Sequence, residues 1–381
     1  MLIALLLACV DEDPMVVDLD DPQACAGCHP SHVEQWSSSM HAYAAVDPVY
    51  DAIVARGERE DGPQDCDSCH RPTDQGVTCA HCHVQDGVMH GGLAEPMETS
   101  AHPSLWSPTH DRKQAESVLL CATCHDRSYQ EWRQSVFSED NPESMLTCGG
   151  CHMRGSDGVA STVEDSPERR IHSHQVPGVG VALVDFPGRE QHSQAVEQAL
   201  AGTVLPQLCV FPMPETRIEV FLENIASGHA WPSCSRNRRA WVEVVAYNEA
   251  GEVLYSSGVV DDQTPLSSLG DPYLWVIGES YMAGEEEVLF PWEAHSIEAT
   301  TLLPMDLFGT SVHQTREYIV PEGWVARATV RVRMRPQRLD LLDALVESGD
   351  LDPAVRAAAP TFDVGYTELE WTPEGNVACT P

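Results

Sequence analysis

The clearest pattern in the chain lies near its C-terminal end, where Ala326, Ala328, Val330, Val332 and Met334 alternate with Arg327, Thr329, Arg331, Arg333 and Arg335. A period of two puts the apolar side chains on one face of an extended strand and the polar ones on the other. Ile218, Val220 and Leu222 alternate in the same way. Further runs at Trp241 to Tyr247, Glu252 to Val260, Glu287 to Trp292, Ser296 to Thr301 and Phe362 to Trp371 read as strands. About seven short strands with turn residues between them predict a β-sandwich. A helix is expected from about Arg338 to Val346, and a second begins at Asp352-Pro353, an N-cap followed by Pro at the first helical position.

The N-terminal half carries no such pattern. Leu, Ile, Val and Phe make up only about 15% of residues 24–200, a level at which a chain usually fails to form a core, against about 26% of residues 206–381. What it has instead is cysteine. The chain holds 14 Cys, and ten of them form five C-x-x-C-H motifs: Cys25/Cys28/His29, Cys66/Cys69/His70, Cys79/Cys82/His83, Cys121/Cys124/His125 and Cys148/Cys151/His152. This is the attachment motif of c-type haem. Two thiols on one tight turn reach the two vinyl groups of a porphyrin, and the adjacent imidazole meets the iron. Zinc ribbons and disulfide frameworks also use paired cysteines, but neither requires a His after every second Cys. Five covalently bound haems would supply the apolar surface that the side chains lack, so folding of this half should be coupled to cofactor binding.

At the N-terminus, Met1 to Ala8 is an apolar run ending in Leu-Leu-Ala-Cys9, with no Lys or Arg before it. It is too short to span a bilayer and resembles a bacterial lipobox, which makes Cys9 the expected lipidation site; a plain cleaved signal is the alternative. Either reading makes the protein exported, to the periplasm or to the outer membrane and cell surface of a bacterium, with membrane contact only through the lipid anchor. The formal net charge is −37 and Lys113 is the only lysine. Such a surface repels nucleic acid and anionic lipid, and it suits either steering toward a basic redox partner or plain solubility.

Residues 25–41 align without gaps on residues 121–137, with Trp36 matching Trp132, Ser39 matching Ser135, and His41 replaced by Phe137. Over about residues 24 to 180 the chain resembles the multihaem cytochromes typified by the tetrahaem cytochrome that accepts electrons from hydroxylamine oxidoreductase. The resemblance is carried by Trp36 to His41, Gly76-Val-Thr-Cys79-Ala-His-Cys82-His83 and Arg170 to Gly178. It implies that downstream histidines are sixth ligands of haems bound elsewhere, with His41, His90 and His174 first and His172 a rival to His174. Of 17 His, five are proximal, which leaves enough to ligate every iron from both sides. His102, His110 and His229 are the next candidates, and Met40, Met89 and Met97 are thioether alternatives that would raise the potential. The short segment between His70 and Cys79 is expected to hold haems two and three close together.

Asn224 to Ser233 followed by Arg238 to Val245 resembles the β-domain that follows the haem region in related multihaem cytochromes, with Cys234 where Gly is expected. Cys209, Cys234 and Cys379 form an odd set, so at most one intrachain disulfide joins them. Arg236, Arg238 and Arg239 are candidates to meet haem propionates, or else a solvated basic patch. The expected fold class is α+β in two domains: a signal peptide over 1–9, an acidic linker over 10–23, a haem-cored and mostly helical pentahaem domain over 24–204, and an immunoglobulin-like β-sandwich over 205–381. Two function classes stand. One is an electron carrier; the other is a multihaem reductase or oxidoreductase acting on a small nitrogen or sulfur compound at one five-coordinate haem, which would gain weight if one haem lacked a distal ligand, with the Phe137 substitution the place to look.

Overall fold

A computed structural model describes residues 18–63, 65–92, 104–212 and 215–375. Cys9, Met97, His102 and Cys379 lie outside the described residues. The described residues up to 180 form short helices, loops and two small sheets of short strands, and the rest is dominated by antiparallel strands.

Two sheets make the β half. One orders His313–Val320, Thr216–Asn224 and Val204–Phe211. The other runs from Trp275–Ala283 through Arg239–Tyr247 to Arg327–Arg335, with shorter strands at its edges. Arg327–Arg335 pairs along its whole length with Arg239–Tyr247, and its apolar face (Ala328, Val330, Val332 and Met334) is buried as the alternation requires. Ile218, Val220 and Leu222 face them as part of the same core. The helix near Arg338 spans Leu339–Glu347 with Arg338 as its N-cap. Asp352 caps Pro353–Ala357 by accepting from the Ala354 amide at 2.8 Å.

Several elements depart from the sequence expectation. Glu286–Val288 is extended, but Pro291–Glu293 is a tight helical turn, because Pro291 has no N–H to give a ladder. Phe362 to Trp371 is broken into Phe362–Asp363 and Leu369–Trp371, with Tyr366 at φ 64° between them. Strands Val204–Phe211, Trp275–Ala283 and His313–Val320 and helix Arg189–Leu200 were not expected from periodicity.

Among the described residues up to 180, the buried apolar side chains are only Val33, Ala42, Tyr43, Val49, Ala52, Val118 and Trp132. Val49 and Ala52 of helix Pro48–Glu60 belong to the same core as the strands. On that helix, Arg56 donates to the Ala344 carbonyl at 3.2 Å and Arg59 pairs with Asp350 at 2.7 Å. The sparse apolar half is thus moored to the sheets at one end. No helix among the described residues is long and apolar enough to cross a membrane.

Candidate haem site

Each C-x-x-C-H segment closes one helical turn. The amides of His29, His70 and His125 donate to the carbonyls of Cys25, Cys66 and Cys121 at 2.8, 3.0 and 2.9 Å, and Cys79–His83 and Cys148–His152 are short helices. Residues three and four apart share a helical face, so each turn presents two thiols and an imidazole to one side. All ten motif cysteines are free: Cys25 and Cys28, Cys66 and Cys69, Cys79 and Cys82, Cys121 and Cys124, Cys148 and Cys151. Among the described residues, no three His, Cys, Asp or Glu side chains converge as a bare-metal site would need. The thiols therefore fit covalent attachment better than zinc or a disulfide framework.

The motif histidines are oriented through Nδ1. His29 Nδ1 bonds the Ala160 carbonyl at 2.7 Å, His83 that of His90 at 3.0 Å, and His152 that of Pro177 at 2.8 Å. A carbonyl partner fixes the proton on Nδ1 and so puts the lone pair on Nε2, the atom that would donate to a metal.

Other imidazoles lie near three of the motif histidines. A ligating imidazole nitrogen sits about 2 Å from its metal and about 1 Å from its own ring centre, so two imidazoles on opposite faces of one metal place their centres about 6 Å apart. The ring centres of His41 and His125 are 6.4 Å apart, those of His174 and His83 6.2 Å, and those of His229 and His152 6.3 Å with planes within 9°. Burial pushes His41 down to about 4 and His174 down to about 3, each reinforced by a neighbouring His; both are neutral at pH 7, the form that binds a metal.

The other candidates are placed differently. His90 gives its carbonyl to His83, and its ring stacks 6.1 Å from His110 rather than from a motif histidine. Both nitrogens of His110 are engaged, Nε2 with the Cys82 carbonyl at 2.7 Å and Nδ1 with Thr109 at 3.1 Å. Nδ1 of His172 bonds the Met153 carbonyl at 3.1 Å, and the His172 carbonyl holds His174 Nδ1 at 3.0 Å. His32, which carried no signal beyond its place three residues after His29, packs 4.6 Å from His174. The ring against His70 is Tyr50, stacked at 5.0 Å with its hydroxyl donating to Asp67 at 2.6 Å; nothing in the sequence singles Tyr50 out.

The motifs touch through sulfur, at the positions that would carry thioethers if haem were attached. The thiols of Cys25 and Cys79 are hydrogen-bonded, as are those of Cys69 and Cys124 and those of Cys121 and Cys148. The second motif therefore meets the fourth, and the third meets the first. Cys28 departs from its motif partner Cys25, because it enters none of these three contacts. It is fastened through its main chain instead: the Thr162 amide donates to the Cys28 carbonyl at 2.8 Å, and the Thr162 hydroxyl to that of Gly27 at 3.1 Å. The expectation that Cys28 carries a thioether therefore rests on its place in the turn, half-buried and free, and not on a sulfur neighbour.

The sequence repeat explains two of the sulfur contacts. Trp36 Nε1 donates to the Val77 carbonyl and Trp132 Nε1 to the Leu146 carbonyl, both at 2.8 Å. Each acceptor lies two residues before the next motif cysteine in that contact, Cys79 or Cys148. One repeated device thus docks the third motif on the first and the fifth on the fourth.

The loop from Ile225 to Arg238 is clamped onto the Asp126–Trp132 helix. Glu131 accepts from the Ala230 amide at 3.1 Å and the Ser233 hydroxyl at 3.0 Å, and Arg127 pairs with Glu279. Phe137, the repeat partner of His41, packs against Gly228 with Trp132. It supports the loop that carries His229. Of the three arginines considered for propionates, Arg239 is held by Glu287 at 2.8 Å and Arg236 lies 3.5 Å from Glu279, while Arg238 donates to the Ser233 carbonyl. Cys209 is disulfide-bonded and Cys234 is free, so that bond does not involve Cys234. The Cys234 sulfur hydrogen-bonds His125 and lies 3.0 Å from Ser128 Oγ. Burial alone would push this thiol up, but His125, Arg238 and Ser128 outweigh it and bring it to about 5.

The chain matches no protein-family model and no curated protein. Its structure does find a match, at TM-score 0.61 and 17% identity, covering 91% of this chain and 97% of the other: a penta-heme cytochrome c552 from Thermochromatium tepidum. The fold is that of a penta-heme cytochrome. The likeness to that cytochrome runs through both the motif-bearing half and the sheets, since nine-tenths of the chain is covered.

Proposed function

We propose that the protein is an exported multihaem c-type cytochrome that transfers electrons between redox partner proteins through five covalently attached haems, mostly with histidine on both sides of the iron. The observation that carries this reading is the pairing of motif histidines with distant imidazoles at 6.2–6.4 Å, on a fold shared with a penta-heme cytochrome. Bound haem supplies a one-electron couple at each motif.

The chain's own residues hold and orient. The motif cysteines would hold each macrocycle, Nδ1 contacts aim three of the proximal histidines, and His41, His174 and His229 would serve as second histidine ligands. Imidazole on both sides leaves no open coordination position for substrate, which favours transport over catalysis. Sulfur contacts join the first motif to the third, the second to the fourth and the fourth to the fifth, and the Cys82 thiol feels Cys124 electrostatically across the two groups. Two domains, a haem-bearing one and an immunoglobulin-like sandwich meeting near residue 204, and a lipid anchor at Cys9 complete the proposal.

A second reading survives on one observation: among the described residues the ring facing His70 is Tyr50, not an imidazole. A reductase or oxidoreductase for a small nitrogen or sulfur compound would act at that second motif. Low-temperature electron paramagnetic resonance of the oxidised holoprotein separates the two. All-low-spin haem supports the carrier; a stoichiometric high-spin signal that shifts with nitrite, hydroxylamine or sulfite supports the enzyme.

A further inference from the structure

Three proximal histidines, His29, His83 and His152, bond a main-chain carbonyl through Nδ1 at 2.7–3.0 Å. His125 is different: its hydrogen-bonding partner is the side chain of Cys234. The sulfur is brought there by construction. Ser128, three residues after His125 on the same helix, lies 3.0 Å from the sulfur. The Ser128 hydroxyl is also 3.2 Å from that of Ser233, which Glu131 of the same helix holds at 3.0 Å. Arg238 donates to the Ser233 carbonyl and closes the turn from the other side.

The backbone supplies an independent observation. Cys234 sits at φ 73°, in the left-handed region where a side chain is strained and glycine is not. A residue kept in such a conformation by its surroundings points to a local requirement, and here the side chain that the strain carries reaches a haem-binding histidine.

We propose that Cys234 is a positioning residue for the fourth attachment site: its sulfur accepts the hydrogen bond from His125 that carbonyls accept elsewhere, and so tunes the potential of that site. This rests on the haem reading above. An acceptor on the outer nitrogen makes a ligating imidazole a stronger donor to the metal, which stabilises the oxidised iron. Because the acceptor is a side chain and not the main chain, this site can be retuned by one substitution, whereas the first, third and fifth cannot.

The test uses the holoprotein, with Cys234→Gly and Cys234→Ser compared with wild type. Glycine removes the acceptor and relieves the φ strain, so folding is retained; serine keeps a polar acceptor. Haem is first counted in all three. Redox titration followed optically and by electron paramagnetic resonance then gives the potentials. The expected result is that one couple of five moves upward in Cys234→Gly, with the ferric-to-ferrous ratio at its old midpoint changing roughly tenfold, about 59 mV for one electron. Cys234→Ser falls between, and all low-spin signals persist. Unchanged potentials with five haems bound overturn the role of Cys234. So does conversion of a low-spin signal to high-spin in Cys234→Gly, since the sulfur would then be on the iron. Fewer than five haems in the wild type overturns the haem reading instead.

Discussion

Replacing Glu131 by alanine should loosen His229 from its haem without touching either ligand of that iron. The Glu131 side chain is 17% exposed and its Oε2 accepts from the Ala230 amide at 3.1 Å and the Ser233 hydroxyl at 3.0 Å. A hydrogen bond to a charged group contributes about 1.5–3 kcal/mol, so at the low end two of them hold the loop by about 3 kcal/mol. Other ties remain in Glu131→Ala: Trp231 and Leu302 exchange two backbone hydrogen bonds at 2.8 Å, and Asn224 Nδ2 donates to the His229 carbonyl at 2.8 Å. The chain therefore stays folded while the undocked loop gains population by a factor of about 10², at about 1.4 kcal/mol per tenfold. Carbon monoxide reaches the reduced iron opposite His152 only when His229 is off, and its apparent affinity scales with that population. Titration of the reduced holoprotein should show one haem in five binding carbon monoxide about a hundredfold more tightly, with Glu131→Gln giving a smaller gain because one oxygen is kept. Equal affinity in wild type and Glu131→Ala would refute both the clamp and the assignment of His229.

His41→Ala, His174→Ala and His229→Ala should each convert one haem in five to high-spin, whereas His110→Ala should convert none, because both of its nitrogens are engaged, with the Cys82 carbonyl and with Thr109; high-spin iron in that control contradicts the ring pairing. Trp36→Phe and Trp132→Phe remove equivalent hydrogen bonds of 2.8 Å and leave carbonyls unpaired, at about 1–3 kcal/mol each. Both variants should lower the thermal stability of the holoprotein, and a drop in only one would show that the repeat is not a shared device. Burial holds His41 to about 4 and His174 to about 3, against 6.5 for both. A depressed histidine contributes stability that is present above its unfolded value and lost as pH falls toward the folded one, so unfolding at pH 5 should take up at least about two protons. Calorimetry in buffers of different ionisation heat measures this, and zero uptake contradicts it.

What the sequence disclosed was what short spacing encodes. The C-x-x-C-H turns are local, and so are the period-two faces of Arg327–Arg335 and Thr216–Asn224, whose alternation survives because each strand has a buried side. The strands that escaped lack that signal for identifiable reasons. Val204–Phe211 contains Pro206 and lies at a sheet edge, where proline is tolerated. Trp275–Ala283 carries Gly278 and a buried Glu279, and the latter is compensated by Arg127 and Arg236 from distant segments.

The same distance effect limited the site. His41, His174 and His229 could be nominated as ligands, but their facing of His125, His83 and His152 is made by long-range folding. His90 was nominated for its ring, and its main-chain carbonyl is what meets His83. Phe137 drew attention as a lost ligand, and it is a packing residue under Gly228. Cys25 and Cys28 look equivalent in the motif, yet one meets Cys79 through sulfur and the other meets Thr162 through its carbonyl, and both partners are distant in the chain. Cys234 stood out as a residue where Gly is expected and as one of an odd set of cysteines, but not for His125, since that contact joins residues more than a hundred positions apart.

The most direct test of the account is a haem count on the purified holoprotein by pyridine haemochrome, checked by the intact mass under denaturing conditions. The account predicts five haems that remain covalently attached, with one lost from each variant in which both cysteines of a motif are replaced by alanine. A protein that carries fewer than five, or whose haem is released by the denaturant, contradicts it.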